Sequence, residues 1–329
     1  MTTDMTATTF LRDQLLNRRE RLQSVIATRR ADGLVELLSE VDSALERMEN
    51  GTYGMCEVCH ETVEPERLIA DPLMRYCLDH LTREQQRALE QDLQLAAEMQ
   101  RDLLPRPGLK HHGWAIAYHY QPLGPVSGDY CDVITRSTNG DGLFFVLGDA
   151  SGKGVAASMV MAHLHAIFRT LVATGLPVHE LVQQAGRVFC ETTMSPYFAT
   201  LVCGRAAASG EVEICNAGHC PPLLVRGPQV TSLEATGLPL GMFCDGGYSA
   251  RRVTLAPGDT LFLYTDGVSE SRSPSQEEYG EERLARVVAE GKMLPLEELV
   301  RTTMKDLAGY RAGAPVQDDL TVMAIRREA

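Results

Sequence analysis

The 329-residue chain has no uninterrupted run of about 18 apolar residues and no charged-then-apolar leader, so neither a membrane span nor a secretory signal is expected. Clustered Lys and Arg are also missing. The formal net charge is −13, and both parts of the chain are acidic: residues 1–104 carry 12 basic and 20 acidic side chains, the remainder 19 and 24. Binding a phosphate backbone needs concentrated positive charge, which excludes nucleic acid as the main partner. No internal repeat stands out. Ser151-Gly152-Lys153-Gly154 lacks the Gly-x4-Gly-Lys-Ser/Thr spacing of a nucleotide-binding loop. Paired cysteines are scarce as well. Of nine cysteines only Cys56, Cys59 and Cys77 show ligand-like spacing. Cys131, Cys190, Cys203, Cys215, Cys220 and Cys244 lie scattered, mostly among apolar neighbours, and read as buried free thiols of a reducing cytoplasm rather than as disulfides.

What is present is an ordinary globular composition, 44% hydrophobic and 23% charged, long enough for two domains. The polar start, residues 1–10, looks disordered. From Phe10 to Asn50 apolar residues recur at helical spacing in two stripes, Leu11, Leu15 and Leu22, then Leu34, Leu37, Leu38, Val41, Leu45 and Met48. A helical hairpin is the natural reading, one bent helix the alternative. Residues 51–81 are turn-rich and short of apolar side chains, as a metal-held knot would be. A helix is expected from Thr82, its N-cap, to Leu104, with a stripe of Leu89, Leu93, Ala96 or Ala97, Met99 or Gln100, and Leu103. Pro105-Arg106-Pro107-Gly108 ends it and marks a domain boundary. The chain thus divides into 1–50, 51–81, a linker helix over 82–108, and a domain over 109–329.

Beyond Lys110 the pattern is of strands, nine in all, with helices over 155–173, 179–192, 281–290 and 296–310. This is an α+β pattern, best satisfied by two packed, mainly antiparallel β-sheets flanked by helices. Three of the apolar runs share one design. Leu143–Gly148 leads into Asp149-Ala150-Ser151-Gly152-Lys153-Gly154, Leu261–Tyr264 leads into Thr265-Asp266-Gly267, and Asp318-Asp319 precedes Leu320–Ile325. Carboxylates held at the ends of buried strands can converge at a core edge, where they repel unless hard divalent cations lie between them. Two such ions can clamp a phosphoryl group and activate a water. Each motif alone is an ordinary turn sequence; the combination and its order carry the argument.

That order, GDY…GDASGKG…NAGHCPPLL…YTDGVSE…DDLTV, resembles the PPM-type metal-dependent phosphatases, in particular the bacterial SpoIIE/RsbU branch. The resemblance runs from about Leu95 to the C-terminus and includes Ala96-Ala97-Glu98-Met99-Gln100-Arg101-Asp102-Leu103-Leu104-Pro105. It implies a protein-serine/threonine phosphatase using two Mn2+ or Mg2+ ions, with metal-bound water as nucleophile, and no Cys-x5-Arg signature is conspicuous. Asp149 would bridge the ions, the Ala150 carbonyl would join one, and Asp266 and Asp318 would complete the other. Asp129 matches an acidic position near the metals that acts through water. Spacing does not decide between Asp318 and Asp319; alignment on Leu320-Thr321 favours Asp318. Asp132 reads as a weaker candidate or a strand residue. Lys153 reads as a substrate-phosphate contact or a solvated loop lysine. His219 reads as a general acid or, preferably, as a turn histidine satisfying local backbone. Ser127 and Cys131 depart from the family's usual Gly and aromatic without removing a ligand.

Cys56-x2-Cys59 and Cys77-x2-His80 place two ligands on each of two turns, the arrangement tetrahedral zinc requires. The surrounding residues resemble the DksA/TraR zinc finger, which commonly has four cysteines; His80 takes the fourth place, and His60 stands where Gly is usual. The resemblance implies an RNA polymerase contact as one role, against a structural or dimerising one. For the whole chain the implied substrate is a phosphorylated anti-sigma-factor antagonist; separately, the apolar stripe of the linker helix is expected to pair with a second copy in a homodimer. A transcription-machinery regulator and a catalytically weak sensor scaffold are the competing readings.

Overall fold

The computed structural model describes residues 2–28, 32–80, 83–135, 142–193, 197–244 and 246–328. It forms two compact units, residues 1–92 and 93–329. In the first, α1 (Thr2–Thr28) and α2 (Asp32–Glu49) form the hairpin. Leu15 packs against Val41, Ala44 and Leu45, and Arg19 reaches Asp42 at 3.9 Å, so the two stripes face each other antiparallel. The start is helical from Thr2, not disordered: once the paired segment nucleates, each further residue adds one backbone bond at little cost, even without an apolar stripe. Residues 29–31 and the proposed cap Thr82 lie outside the described residues. The knot that follows holds α3 (Pro65–Ala70), started by a proline whose missing N–H costs nothing in a first turn. Its small core is Leu11, Cys56, Val63, Leu68 and Cys77. Next comes α4 (Arg83–Leu103).

The second unit continues with β1 (Leu109–His111), β2 (Trp114–Gln121), β3 (Asp129–Ile134), β4 (Gly142–Ala150), α5 (Gly154–Val172), α6 (Val178–Thr192), β5 (Ala199–Ala207) and β6 (Glu211–Ala217). It ends with β7 (Leu223–Arg226), β8 (Gln229–Ser232), β9 (Arg251–Thr254), β10 (Thr260–Tyr264), α7 (Asp266–Ser269), α8 (Glu281–Glu290), α9 (Leu296–Arg311) and β11 (Leu320–Arg327). One sheet runs β1-β2-β11-β10-β7-β8 and the other β3-β4-β5-β6-β9, all neighbours antiparallel. Between them lies a core that includes Trp114, Ile116, Phe145, Leu147, Val202, Leu261, Leu263 and Met323. The outer face of the five-stranded sheet (Phe144, Val146, Leu201) is covered by α5 and α6, and that of the six-stranded sheet (Phe262, Tyr264, Val322) by α8 and α9.

Both faces of the central strands are therefore buried, which is why β4 and β10 read as continuous apolar runs rather than alternating ones. Helix α5 is long and apolar enough to cross a membrane by length and composition alone, yet Ala157, Leu164 and Phe168 pack it onto β3 and β4 as a core helix. Cys131, Cys203 and Cys215 are buried thiols, as expected. Cys190 and Cys244 are not: they form a disulfide, with Cα atoms 5.8 Å apart, joining α6 to the loop after β8. The two are 54 residues apart, so no local spacing marks the pair.

Candidate functional site

The strand ends converge at one edge of the two-sheet core. Asp129 opens β3 and is the Cα partner of Asp149 near the end of β4. Across the gap, β10 and β11 pair so that Tyr264 faces Val322, bringing Asp266 and Asp318 to the same end of the other sheet. The approach there is very close: a Cβ on Gly267 would lie 2.0 Å from the Asp319 carbonyl oxygen and 3.2 Å from Asp318 Cβ, so only glycine fits after Asp266.

Burial, then the charges of Asp266, Asp318 and Asp319, push the Asp149 carboxyl up to about 7. Asp266 is raised too, by burial and then by Asp318. Lys153 is the cation that offsets this cluster, donating to Asp318 Oδ2 at 2.8 Å and to the Gln317 carbonyl at 2.7 Å. Lys153 and Asp318 also line a cleft of about 300 Å³ together with Glu270, Arg272, Gln276 and Gln317. Carboxylates near enough to suppress one another's ionisation are compatible with the needs of a divalent cation.

Asp129 has a different setting. It is 1% exposed, and its Oδ2 accepts from Thr265 Oγ1 at 3.1 Å and from Thr321 Oγ1. These hydroxyls come from the six-stranded sheet, so the contact ties the two sheets together at the site. Burial, then the charge of Asp149, raises the Asp129 carboxyl well above the ordinary range. The neighbouring acids of the Asp318-Asp319 pair divide their work. Asp319 accepts from the backbone N–H of Leu123 at 2.6 Å and of Gly128 at 2.9 Å, holding the loop before β3, whereas Asp318 faces Lys153 and the cleft.

Two sequence candidates stand apart. His219 is buried; its Nδ1 meets Thr200 Oγ1 at 2.9 Å, and its backbone N–H and carbonyl are bonded by the Asn216 side chain. Burial pulls its pKa down to about 4, so the ring is neutral at pH 7 and offers no acidic proton. The turn itself is held through the His219 backbone, while the ring bonds the Thr200 hydroxyl rather than local backbone; its Nε2 is buried without a hydrogen-bond partner, and His219 is not among the residues lining the cleft. Asp132 is fully buried and held bidentately by Arg169 at 2.8 and 2.7 Å, with His165 at 3.5 Å; it fastens α5 to β3. Thr265 and Thr321 carry no role in the sequence reading, and Gln100 enters it only as an alternative to Met99 in the α4 stripe. The signal available for the threonines was a hydroxyl residue close to the acid, directly before Asp266 and two places after Asp319.

In the first unit Cys56, Cys59, Cys77 and His80 bring their ligand atoms within 4.8 Å of one another. Cys59 Sγ and Cys77 Sγ are 3.7 Å apart and Cys77 Sγ and His80 Nδ1 3.2 Å. Tetrahedral zinc with Zn–S near 2.3 Å requires sulfur atoms about 3.8 Å apart, so the set fits the ion. His60 is not in the group. Its φ of +60° lies in the left-handed region, which explains why glycine is usual there.

A two-sheet sandwich with carboxylates at one end defines the class, and comparison with known proteins gives the family. Residues 139–328 match the family described as stage II sporulation protein E (SpoIIE), more than half of the chain, and the chain belongs to that family. Residues 51–79 match the prokaryotic dksA/traR C4-type zinc finger. Among curated relatives, Protein IcfG of Synechocystis sp. is 26% identical over 267 residues, covering 72% of this chain and 41% of that protein. Phosphoserine phosphatase RsbU of Bacillus subtilis is 25% identical over 248 residues, covering 74% of this chain and 72% of RsbU. A solved structure of the RsbU and RsbW domains of Rv1364c from Mycobacterium tuberculosis aligns with TM-score 0.58 at 31% identity, over 66% of this chain and 60% of that one. The chain thus spans less than half the length of IcfG and about three-quarters that of RsbU.

Proposed function

We propose that the second unit is a metal-dependent protein-serine/threonine phosphatase. The observation that carries this reading is the convergence of Asp149, Asp266 and Asp318 from three strand ends, with Asp149 raised to about 7 by burial and by its acidic neighbours. Asp149, the Ala150 carbonyl, Asp266 and Asp318 would hold two Mn2+ or Mg2+ ions, which supply Lewis acidity toward a phosphoryl group and its attacking water. Asp129 would act one layer behind, through water, while its bonds to Thr265 and Thr321 keep the two sheets in register at the site. Lys153 sits at the mouth of the cleft and is the side chain to meet a substrate phosphate. His219 contributes position only, as a neutral group beside Thr200, the Cα partner of Asp149.

RsbU is named a phosphoserine phosphatase, and the same substrate class is proposed here: phosphoserine or phosphothreonine on a regulatory protein, specifically an anti-sigma-factor antagonist. Such a substrate is cytoplasmic, and the enzyme with it. The zinc module and α4 would regulate the site. Leu95 and Met99, one turn apart on α4, are 56% and 65% exposed, which supports a homodimer through this helix. Sedimentation of a monomer at high concentration would remove that part. An RNA polymerase contact is the weaker reading, because the zinc-finger match covers residues 51–79 without the helical hairpin.

The deciding experiment is release of phosphate from a phosphoserine protein with and without Mn2+, using Asp266→Asn as control. Metal-dependent turnover lost in the variant is expected. Equal release by both proteins, or turnover indifferent to metal, would defeat the proposal.

A further inference from the structure

The loop that delivers Asp129 also packs directly on the neighbouring candidate ligands. Ala150 N–H donates to the Gly128 carbonyl at 3.1 Å. A Cβ on Gly128 would stand 3.1 Å from the Ala150 carbonyl oxygen and 3.4 Å from Asp149 Oδ1. Any shift of Ser127-Gly128 is therefore felt by both. Asp319 grips this loop from one side, through Leu123 and Gly128.

The other grip comes from outside the sheets. Gln100, in the last turns of α4, donates through Nε2 to the Ser127 carbonyl at 2.7 Å and accepts through Oε1 from the Ser127 N–H at 2.9 Å. Gln100 and Ser127 are both buried, at 6% and 0% exposure, so neither bond has water as a substitute. Its helix neighbour Met99 is 65% exposed. The polar residue faces in and the apolar one faces out, an inversion that only a satisfied pair of bonds explains. A side-chain amide is the group that can give and take one bond at once, as a neighbouring strand would.

We propose that Gln100 is a positioning residue of the metal site: it seats Ser127-Gly128 against Asp149 and Ala150 and thereby sets the affinity for divalent ions. This rests on the two-metal reading above. The test is Mn2+ binding to the zinc-loaded full chain, followed by the electron paramagnetic resonance of free Mn2+, for wild type, Gln100→Met, Gln100→Glu and Asp149→Asn. Gln100→Met keeps the shape and loses both bonds; Gln100→Glu keeps the acceptor toward Ser127 N–H and loses the donor, and carries the test if Gln100→Met does not fold. Roughly tenfold or greater weakening of Mn2+ binding is expected, corresponding to about 1.4 kcal/mol. Zinc content should be unchanged, and kcat at saturating Mn2+ should stay within about threefold of wild type. Wild-type Mn2+ affinity in a folded Gln100 variant, with binding lost in Asp149→Asn, would overturn the role of Gln100 alone. A lowered kcat with unchanged affinity would overturn it equally. Undiminished binding by Asp149→Asn would overturn the two-metal reading and this inference together.

Discussion

Replacing Asp149 by Asn should stabilise the metal-free protein while abolishing its response to Mn2+. In the unfolded chain this carboxyl titrates near 3.8, in the folded chain near 7, because it is buried beside Asp266, Asp318 and Asp319. Between those values the folded state holds a proton that the unfolded state has released, so stability falls as pH rises through the window. Below about pH 4 both states are protonated and the penalty is absent; above about pH 7 it is fully developed. At about 1.36 kcal/mol per unit, the burden on the wild type is about 4 kcal/mol at pH 8 and about 2 kcal/mol at pH 5. Asparagine is neutral at both. A gain of this size in a unit of more than 200 residues corresponds to roughly 8–16 °C in Tm at pH 8 and to roughly half that at pH 5.

Thermal unfolding in buffer cleared of free divalent ions by a chelating resin, with zinc left in the first unit, measures this. Adding Mn2+ should then close most of the difference. A ligand at 100 times its Kd stabilises the folded state by about 2.7 kcal/mol, a gain open to the wild type and closed to the variant. An Asp149→Asn protein that is no more stable than wild type without metal at pH 8 would refute the electrostatic argument. So would a gain as large at pH 5 as at pH 8.

Three further outcomes follow from other parts of the molecule. Arg169→Leu leaves the fully buried Asp132 without its bidentate partner and should cost about 3–5 kcal/mol, seen as a fall in Tm; Asp132→Asn in the same chain should restore part of it, and no loss in the single variant would show the pair to be idle. Cys56→Ser should lower bound zinc by about one ion per chain, measured by metal analysis, and an unchanged content would remove Cys56 from the ligand set. Cys190 and Cys244 should resist alkylation until a reductant is added, whereas ready alkylation of both in protein isolated without oxidant would place them as free thiols in the cell.

The parts of this fold that were legible in the sequence are those whose signal is local. A strand buried on both faces needs an unbroken apolar run, and Leu143–Gly148 and Leu261–Tyr264 could be little else. The edge strands β1 and β8 carry polar residues and owe their conformation to pairing with β2 and β7, which no local pattern announces. Helix α7 is one turn long and reads as the turn Asp266-Gly267 until the approach of Asp319 is seen. The disulfide was misread for the same reason: Cys190 and Cys244 meet only through the tertiary fold.

The candidate site divides along the same line. Its acids stood out because each ends or begins a buried strand, where packing alone gives no reason for a carboxylate. What holds the acids did not stand out. Asp129 is bonded by hydroxyls 136 and 192 residues away, and Ser127 by an amide 27 residues back on a helix that looked like a linker. Periodicity offered Met99 and Gln100 as alternatives for the buried position on α4, and hydrophobicity alone favours methionine. The structure buries Gln100 instead, since two buried backbone groups of Ser127 left unpaired would cost more than the apolar contact a methionine would add. Candidate ion ligands are thus legible from where strands stop, whereas the residues proposed to aim them are legible only once the buried polar atoms have been paired one by one.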